Sequence, residues 1–197
     1  MVWASGPGRT MIGPEFEDVL RAAAGGDEEA FGRLWRDLQP RLLRYFRVVS
    51  PAVAEDLASE TWLGVIRGIN RFRGNEPAFR AWVFTIARHE LLDWRRRAAR
   101  RATEDLPANG LLEQAAPDDP AASALEYLST QAALAEVATL PPDQAEAIVL
   151  RVVAGLGVDR VAAIMDKRPG TVRVLTHRGL RRLAERLGAN VRIRGMV

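Results

Sequence analysis

Arginine is the side chain through which this sequence is best equipped to act: of its 28 basic residues only Lys167 is a lysine. A guanidinium carries a planar fork of donors that matches a phosphate or the O6 and N7 edge of guanine. A GC-rich genome also enriches arginine, so position matters more than number. Two runs stand out. In RPGTVRVLTHRGLRRL (Arg168 to Leu183), steps of about 100° place Val172, Leu175, Thr176, Gly179 and Leu183 on one side of a helix and Arg173, Val174, His177, Arg178 and Arg181 on the other. The second face suits a DNA major groove, with arginines on guanine and Val174 against a thymine methyl. Pro169, Gly170 and Thr171 open the helix and leave its N-terminus free to approach a phosphate. An ordinary amphipathic helix with a solvated arginine face has the same pattern.

The second run, WRRRAARR, ends a long helix expected over about Ala78 to Arg101. Phe79, Trp82, Val83, Ile86, Leu91 and Trp94 form its apolar side; Thr85, Arg88, His89, Leu92 and Arg96 lie roughly opposite. Arg95, Arg96, Arg97, Arg100 and Arg101 suit a phosphate backbone. Arginine there also complements the helix dipole, and aromatics at helical spacing commonly pack a core. The preceding loop offers Phe72, Arg73 and Asn75, groups that stack on or hydrogen-bond an unstacked base.

Other chemistries find few players. The chain has no cysteine, which excludes disulfides, thiolate metal sites and cysteine nucleophiles and fits a reducing compartment. Its two histidines, His89 and His177, have no second ligand at useful spacing. Gly6-Pro7-Gly8 and Gly25-Gly26 lack the context of a phosphate loop. No catalytic residue, metal or cofactor is therefore expected, and the protein is not expected to be an enzyme. No apolar run approaches the roughly 20 residues that span a bilayer. A cytoplasmic protein without a membrane partner is expected.

Helical periodicity runs along almost the whole chain, so the fold is expected to be all-α. Pro14 opens a first helix to about Ala24, Asp27 caps a second, and Pro40 begins a third. A helix from about Val53 to Asn70 turns Leu57, Trp62, Val65, Ile66 and Ile69 toward a core and leaves Glu55, Asp56, Glu60 and Arg67 outside. Pro107, Asn109-Gly110 and Pro117 mark an acidic, flexible linker over 103–119. A second helical block follows: about Ala121 to Thr139, Pro142 to Ala154, then two helices from Val158 with a tight break at Met165 to Lys167, which is helix-turn-helix spacing. Two small helical domains are expected, over 15–102 and 120–187, with tails at 1–14 and 188–197.

The net charge of +3 conceals this division. Residues 1–101 hold 17 Arg against 13 acids, a balance of +4, and residues 102–150 hold 9 acids and no base. Residues 151–197 hold 11 bases against 3 acids, a balance of +8. Two basic blocks around an acidic one point to a polyanionic partner.

Four stretches in this order resemble bacterial RNA polymerase sigma factors of the extracytoplasmic-function class: AEDLASETWLGVIRGINRF (Ala54 to Phe72), FRAWVFTIARHELLDWRRR (Phe79 to Arg97), LPPDQAEAIVLRVVAGLGVDRVAAIM (Leu140 to Met165) and RPGTVRVLTHRGLRRL. The resemblance implies sigma domain 2 in the first block and domain 4 in the second. It implies that the helix holding Asp56, Glu60 and Trp62 docks on the clamp helices of the polymerase β′ subunit. It implies that Phe72, Arg73, Asn75, Arg88 and His89 capture a flipped base of the −10 element, with Arg95, Arg96 and Arg97 on the backbone. The −35 element falls to Thr171, Arg173, Val174, His177, Arg178 and Arg181, with domain 4 on the β flap. The linker would thread toward the active site and RNA exit path. An anti-sigma factor is the implied regulator. Gly179 departs from the alanine that such helices often carry, at a helix cost of about 1 kcal/mol, and Val174-Leu175-Thr176 replaces a more polar run. The competing expectation is a free-standing helix-turn-helix regulator acting on duplex DNA without polymerase; it explains 158–187 but leaves Asp56, Glu60 and the Trp82 to Arg97 stretch unused.

Overall fold

A computed structural model describes residues 12–103 and 124–194, and side chains at 12–101 and 130–186. The expected linker from residue 104 onward, and the expected tails before residue 12 and after residue 194, lie outside the described residues. Every described regular element is helical: α1 (Phe16–Ala24), α2 (Glu28–Val49), α3 (Ala54–Gly68), α4 (Glu76–Thr103), α5 (Ala124–Ala138), α6 (Pro142–Val152), α7 (Val158–Met165) and α8 (Pro169–Arg194), with short 3-10 turns before α1, before α3 and after α3.

Helix α2 corrects the expected break at Pro40, which sits inside one continuous helix. A proline in a helix interior costs about 3 kcal/mol or more. Here the cost is outweighed because Leu34, Leu38, Leu42, Tyr45 and Phe46 form one buried stripe on both sides of it, while Pro40 itself faces solvent. The helix starts where expected, with the Asp27 carboxylate accepting from the Ala30 amide at 2.7 Å.

In α3, Leu57, Trp62 and Val65 are buried as expected, but Ile66 is 53% exposed. It stands about 100° past Val65, beside Leu63, which is 48% exposed. Residues 12–15, expected largely as tail, are tied down: the Gly13 amide donates to Glu76 Oε2 at 3.0 Å. The last helix also outruns the expected tail boundary, continuing to Arg194.

Between α7 and α8 the chain turns at Asp166, in the left-handed region at φ 53°, with the Lys167 amide donating back to the Ala162 carbonyl at 2.9 Å. That tight stop sets the helix-turn-helix pair. Helix α8 then packs on α6 and α7, with Val172 and Gly179 buried on its inner side. A Cβ at Gly179 would stand 2.6 Å from Ile148 Cδ1 and 3.4 Å from Leu140 Cδ1. Gly179 is therefore the residue that lets α8 lie close on α6, which accounts for the helix propensity forgone there.

The two blocks do not stand apart. Helix α2 packs on α5 and α6, α4 packs on α7, and one apolar core runs through both.

Candidate nucleic-acid interface

The outward face of α8 is built as its period dictates. Thr171, Arg173, Val174, His177, Arg178 and Arg181 are all exposed, while Val172 is fully buried and Leu175, Thr176 and Leu183 are half-buried against the scaffold. Arg181 Nε donates to Glu185 at 3.0 Å, an exposed pair that costs little to open. The face is a row of donors with two exposed apolar side chains, Val174 and Leu180, among them.

At the far end of the N-terminal block, the chain between α3 and α4 forms one wall of a cleft of about 700 Å³, whose other wall is α1 with Glu17, Leu20 and Arg21. Phe72, Arg73 and Asn75 line it. Phe72 is half-buried, its ring 5.3 Å from that of Phe79 and 5.1 Å from that of Trp82, so it forms the fixed floor of the cleft. Arg73 is exposed and folds back, Nη1 donating to the Asn70 and Phe72 carbonyls at 2.8 and 2.7 Å. Asn75 caps α4, its Oδ1 accepting from the Ala78 amide at 3.0 Å, which leaves its side-chain NH2 for a ligand. Gly74 at φ 153° holds a backbone conformation that disfavours a side chain, and a Cβ there would crowd Phe72 at 3.1 Å.

Along α4, His89, Arg95, Arg96 and Arg97 are exposed. Arg95 Nη2 donates to the Val49 carbonyl at 2.9 Å and Arg96 pairs with Asp93 at 2.9 Å. Arg88 is placed differently from its neighbours. It is half-buried between the blocks, Nε donating to Glu146 Oε1 at 3.0 Å and Nη2 to the Met165 carbonyl at 3.3 Å.

On α3, Asp56 and Glu60 are exposed, and with Leu63 and Ile66 they form one outward stripe. Trp62 is 6% exposed, its indole N–H donating to Gln39 Oε1 at 2.7 Å and its ring edge-on to Phe31. It supports the stripe from beneath. Leu63 and Ile66 were absent from the residues expected to bind; the signal for them is an apolar i, i+3 pair on an otherwise charged face. Trp35, one turn of α2 from both Phe31 and Gln39, is a third exposed apolar side chain at 43%.

Sequence reasoning also missed a charged cluster at the junction of the blocks. Burial pushes the Asp37 carboxyl up to about 6 against the opposing pull of Arg41 and Arg80, and burial likewise holds Arg41 below its ordinary value. The Tyr45 hydroxyl, fully buried, is raised well above its ordinary range by burial and by Glu146. For Asp37, a folded value above the ordinary 3.8 means that the charged form is penalised in the folded chain above about pH 6, and the penalty disappears below 3.8. Asp37→Asn is therefore expected to raise the melting temperature at pH 7.5, with the gain shrinking as pH falls from 6 toward 4; thermal melts across that range check it, and a gain independent of pH contradicts it. Among the described residues no group of three or more His, Asp or Glu side chains could hold a metal ion. No described helix is long and apolar enough to cross a membrane.

Comparison with known proteins supplies the family. Sigma-70 region 2 matches residues 34–101 and Sigma-70 region 4 matches residues 130–183. The ECF RNA polymerase sigma factor BldN of Streptomyces coelicolor is 37% identical over 89% of this chain and 67% of its own length. SigD of Mycobacterium tuberculosis, another ECF sigma factor, is 33% identical over 93% of this chain and 89% of its own. Among solved structures, the sigma factor RpoE of Bartonella quintana, crystallised with the anti-sigma factor NepR, superposes with a TM-score of 0.62 at 26% identity, covering 81% of this chain and 98% of that one. With both Sigma-70 regions in order and these relatives matched over two thirds or more of their length, the chain belongs to the extracytoplasmic-function class of RNA polymerase sigma factors.

Proposed function

We propose that this sigma factor reads a two-part promoter, with 15–102 as domain 2 on the −10 element, 120–187 as domain 4 on the −35 element, and 103–119 as the connector. The observation that carries the reading is the α8 face, where Thr171, Arg173, Val174, His177, Arg178 and Arg181 are exposed together on a helix whose opposite side is buried. In a major groove the arginines reach guanine and Val174 a thymine methyl.

The cleft between α1 and the 70–75 segment then receives an unpaired base of the −10 element, over Phe72 and within reach of Arg73 and the Asn75 amide. Arg88, His89, Arg95, Arg96 and Arg97 line the strand's path. Melting follows from preference: a site that holds unstacked bases and not paired ones offsets the cost of opening the duplex. Joining the two readers in one chain raises the effective concentration of the second contact once the first is made. Core polymerase docks on the α3 stripe of Asp56, Glu60, Leu63 and Ile66 through its β′ clamp helices, with Trp62 supporting from below, and domain 4 meets the β flap. The chain itself breaks no bond and acts in the cytoplasm. An anti-sigma factor controls it, as NepR partners the Bartonella relative.

The deciding experiment is transcription with reconstituted holoenzyme on promoters mapped from overexpression of this protein. Arg178→Ala is expected to lower runoff transcript from −35 dependent promoters by roughly tenfold or more, since one bidentate guanine contact is worth about 1–3 kcal/mol. Binding to core polymerase is expected to stay unchanged. Equal loss of both contradicts the role. A free-standing regulator would give no promoter-specific transcript with core enzyme at all.

A further inference from the structure

The cleft between α1 and the 70–75 segment has two walls, and base capture over Phe72 engages only one of them. Glu17, Leu20, Arg21 and Ala24 line the other. At i, i+3, i+4 and i+7 they form one face of α1, while Phe16, Val19 and Ala23 on its opposite face are buried in the core. Both walls are fixed to the same helix. The Phe79 ring of α4 lies 5.7 Å from that of Phe16 on α1 and 5.3 Å from that of Phe72 on the cleft floor. The Gly13 amide, just before α1, donates to Glu76 at the start of α4. Side chains on the two walls are therefore held at a set separation, as selection between similar ligands requires.

Glu17 is the group that a strand-binding wall would not be expected to carry. It is exposed, and its carboxylate has no hydrogen-bond or ion-pair partner among the described residues. A negative charge repels phosphate, so it adds nothing to holding the backbone of a strand. A carboxylate accepts only, and what a base can offer it is an N–H. Cytosine and adenine offer an exocyclic amine, and guanine offers an amine beside its ring N1–H. Thymine has no amine, and its single N3–H stands between two carbonyl oxygens that would face the carboxylate. On the other wall the free NH2 of Asn75 suits the ring nitrogen or carbonyl that lies beside an amine. Arg21, one turn along from Glu17, pairs with Asp18 at an exposed site and opens readily to a phosphate.

We propose that Glu17 is the base-selecting residue of this cleft: its carboxylate accepts from an exocyclic amine, so the site over Phe72 takes cytosine, adenine or guanine and rejects thymine. The inference rests on the −10 reading above and adds a specificity to it. A site built around a hydrogen bond discriminates strongly against a ligand that lacks the matching group, because a polar atom of the site is then left unpaired. Glu17 also stands in the first turn of α1, where a carboxylate favours the helix dipole. That second role moves stability and leaves base preference unchanged, so experiment separates the two.

The test uses reconstituted holoenzyme and forked promoter DNA whose −10 non-template strand is unpaired. An abasic scan of that strand finds the positions at which a base is captured, and all four bases are then placed at each. At one of them the unaltered protein is expected to bind every amino-bearing base about tenfold more tightly than thymine, the discrimination of one good pairing of side chain and base. Glu17→Gln, whose amide donates as well as accepts, is expected to bring thymine there within about twofold of the others. Asp18→Asn removes the same charge one residue further along, outside the cleft lining, and is expected to keep the preference. Identical base preferences in Glu17→Gln and the unaltered protein overturn selection by Glu17 and leave base capture standing; a lower melting temperature alongside them assigns the residue to the helix. Equal loss of preference in Asp18→Asn assigns the effect to net charge and overturns the selection as well. A strand with no abasic-sensitive position overturns base capture and the selection with it.

Discussion

Leu63→Asp combined with Ile66→Asp is expected to weaken binding to core RNA polymerase by about ten- to hundredfold while leaving the fold intact. Both side chains stand on the outer stripe of α3 at 48% and 53% exposure, flanked by Asp56 and Glu60. Burying one such aliphatic side chain is worth about 1.5–3 kcal/mol, and each 1.4 kcal/mol is a factor of about ten in affinity. Each side chain is already about half covered in the free chain, so docking buries only the remainder and two lost anchors remove about 1.5–3 kcal/mol from binding, while an aspartate pressed into the same contact adds a desolvation cost. The folded chain hardly feels the change, because neither side chain belongs to the core, and surface substitutions typically move stability by about 0.5 kcal/mol or less. Size-exclusion co-elution or anisotropy titration with core enzyme reads the first effect and a thermal melt the second. Wild-type affinity in the double variant contradicts the docking stripe; a large drop in melting temperature assigns both residues to the fold instead.

The same helix shows where reading a sequence succeeds and where it stops. Trp62, Val65 and Ile69 repeat at helical spacing and are buried, as the pattern demands. Ile66 extends that apolar run by type but lies one step too far around the helix, and hydrophobicity alone does not separate a core residue from an exposed anchor. On α8 Val172 is buried and Arg173, Arg178 and Arg181 are exposed as the period demands, but Val174 and Leu180 stand exposed beside the arginines, so residue type alone does not fix the side. Gly179 reads as a helix flaw until Ile148 appears 2.6 Å from its missing Cβ. Pro40 reads as a boundary because local propensity says so, whereas the burial of Leu38 and Leu42 on either side overrides it. Glu146 looks like one more surface acid. Only the three-dimensional approach of residues 58 and 101 positions away, Arg88 and Tyr45, turns it into a buried acceptor, and no periodicity encodes a contact that distant.

Removal of the buried Glu76 carboxylate is expected to cost a large share of the fold's stability. Glu76 and Arg80 are an i, i+4 pair at 3.0 Å whose side chains are only 7% and 4% exposed. The second carboxylate oxygen accepts from the Gly13 amide and pins the segment before α1. Breaking a buried pair from one side costs up to about 3–5 kcal/mol, against a total stability of about 5–15 kcal/mol for a domain, and Asp37, which also faces Arg80, retains part of the compensation. Glu76→Ala is therefore expected to lower the urea midpoint severely. Glu76→Leu with Arg80→Met, which removes both charges and keeps volume, is expected to recover part of the loss. A single-variant loss below about 1 kcal/mol, within the ordinary range for exposed substitutions, contradicts the argument. The consequence reaches function through position. Glu76 opens α4 directly after the segment that walls the base cleft, and Arg80 sits against Gly155 of the C-terminal block. A chain loosened at this one pair loses the cleft wall and the junction of the blocks together, so strand binding and the packing of the two blocks are expected to fail at the same urea concentration in the variant.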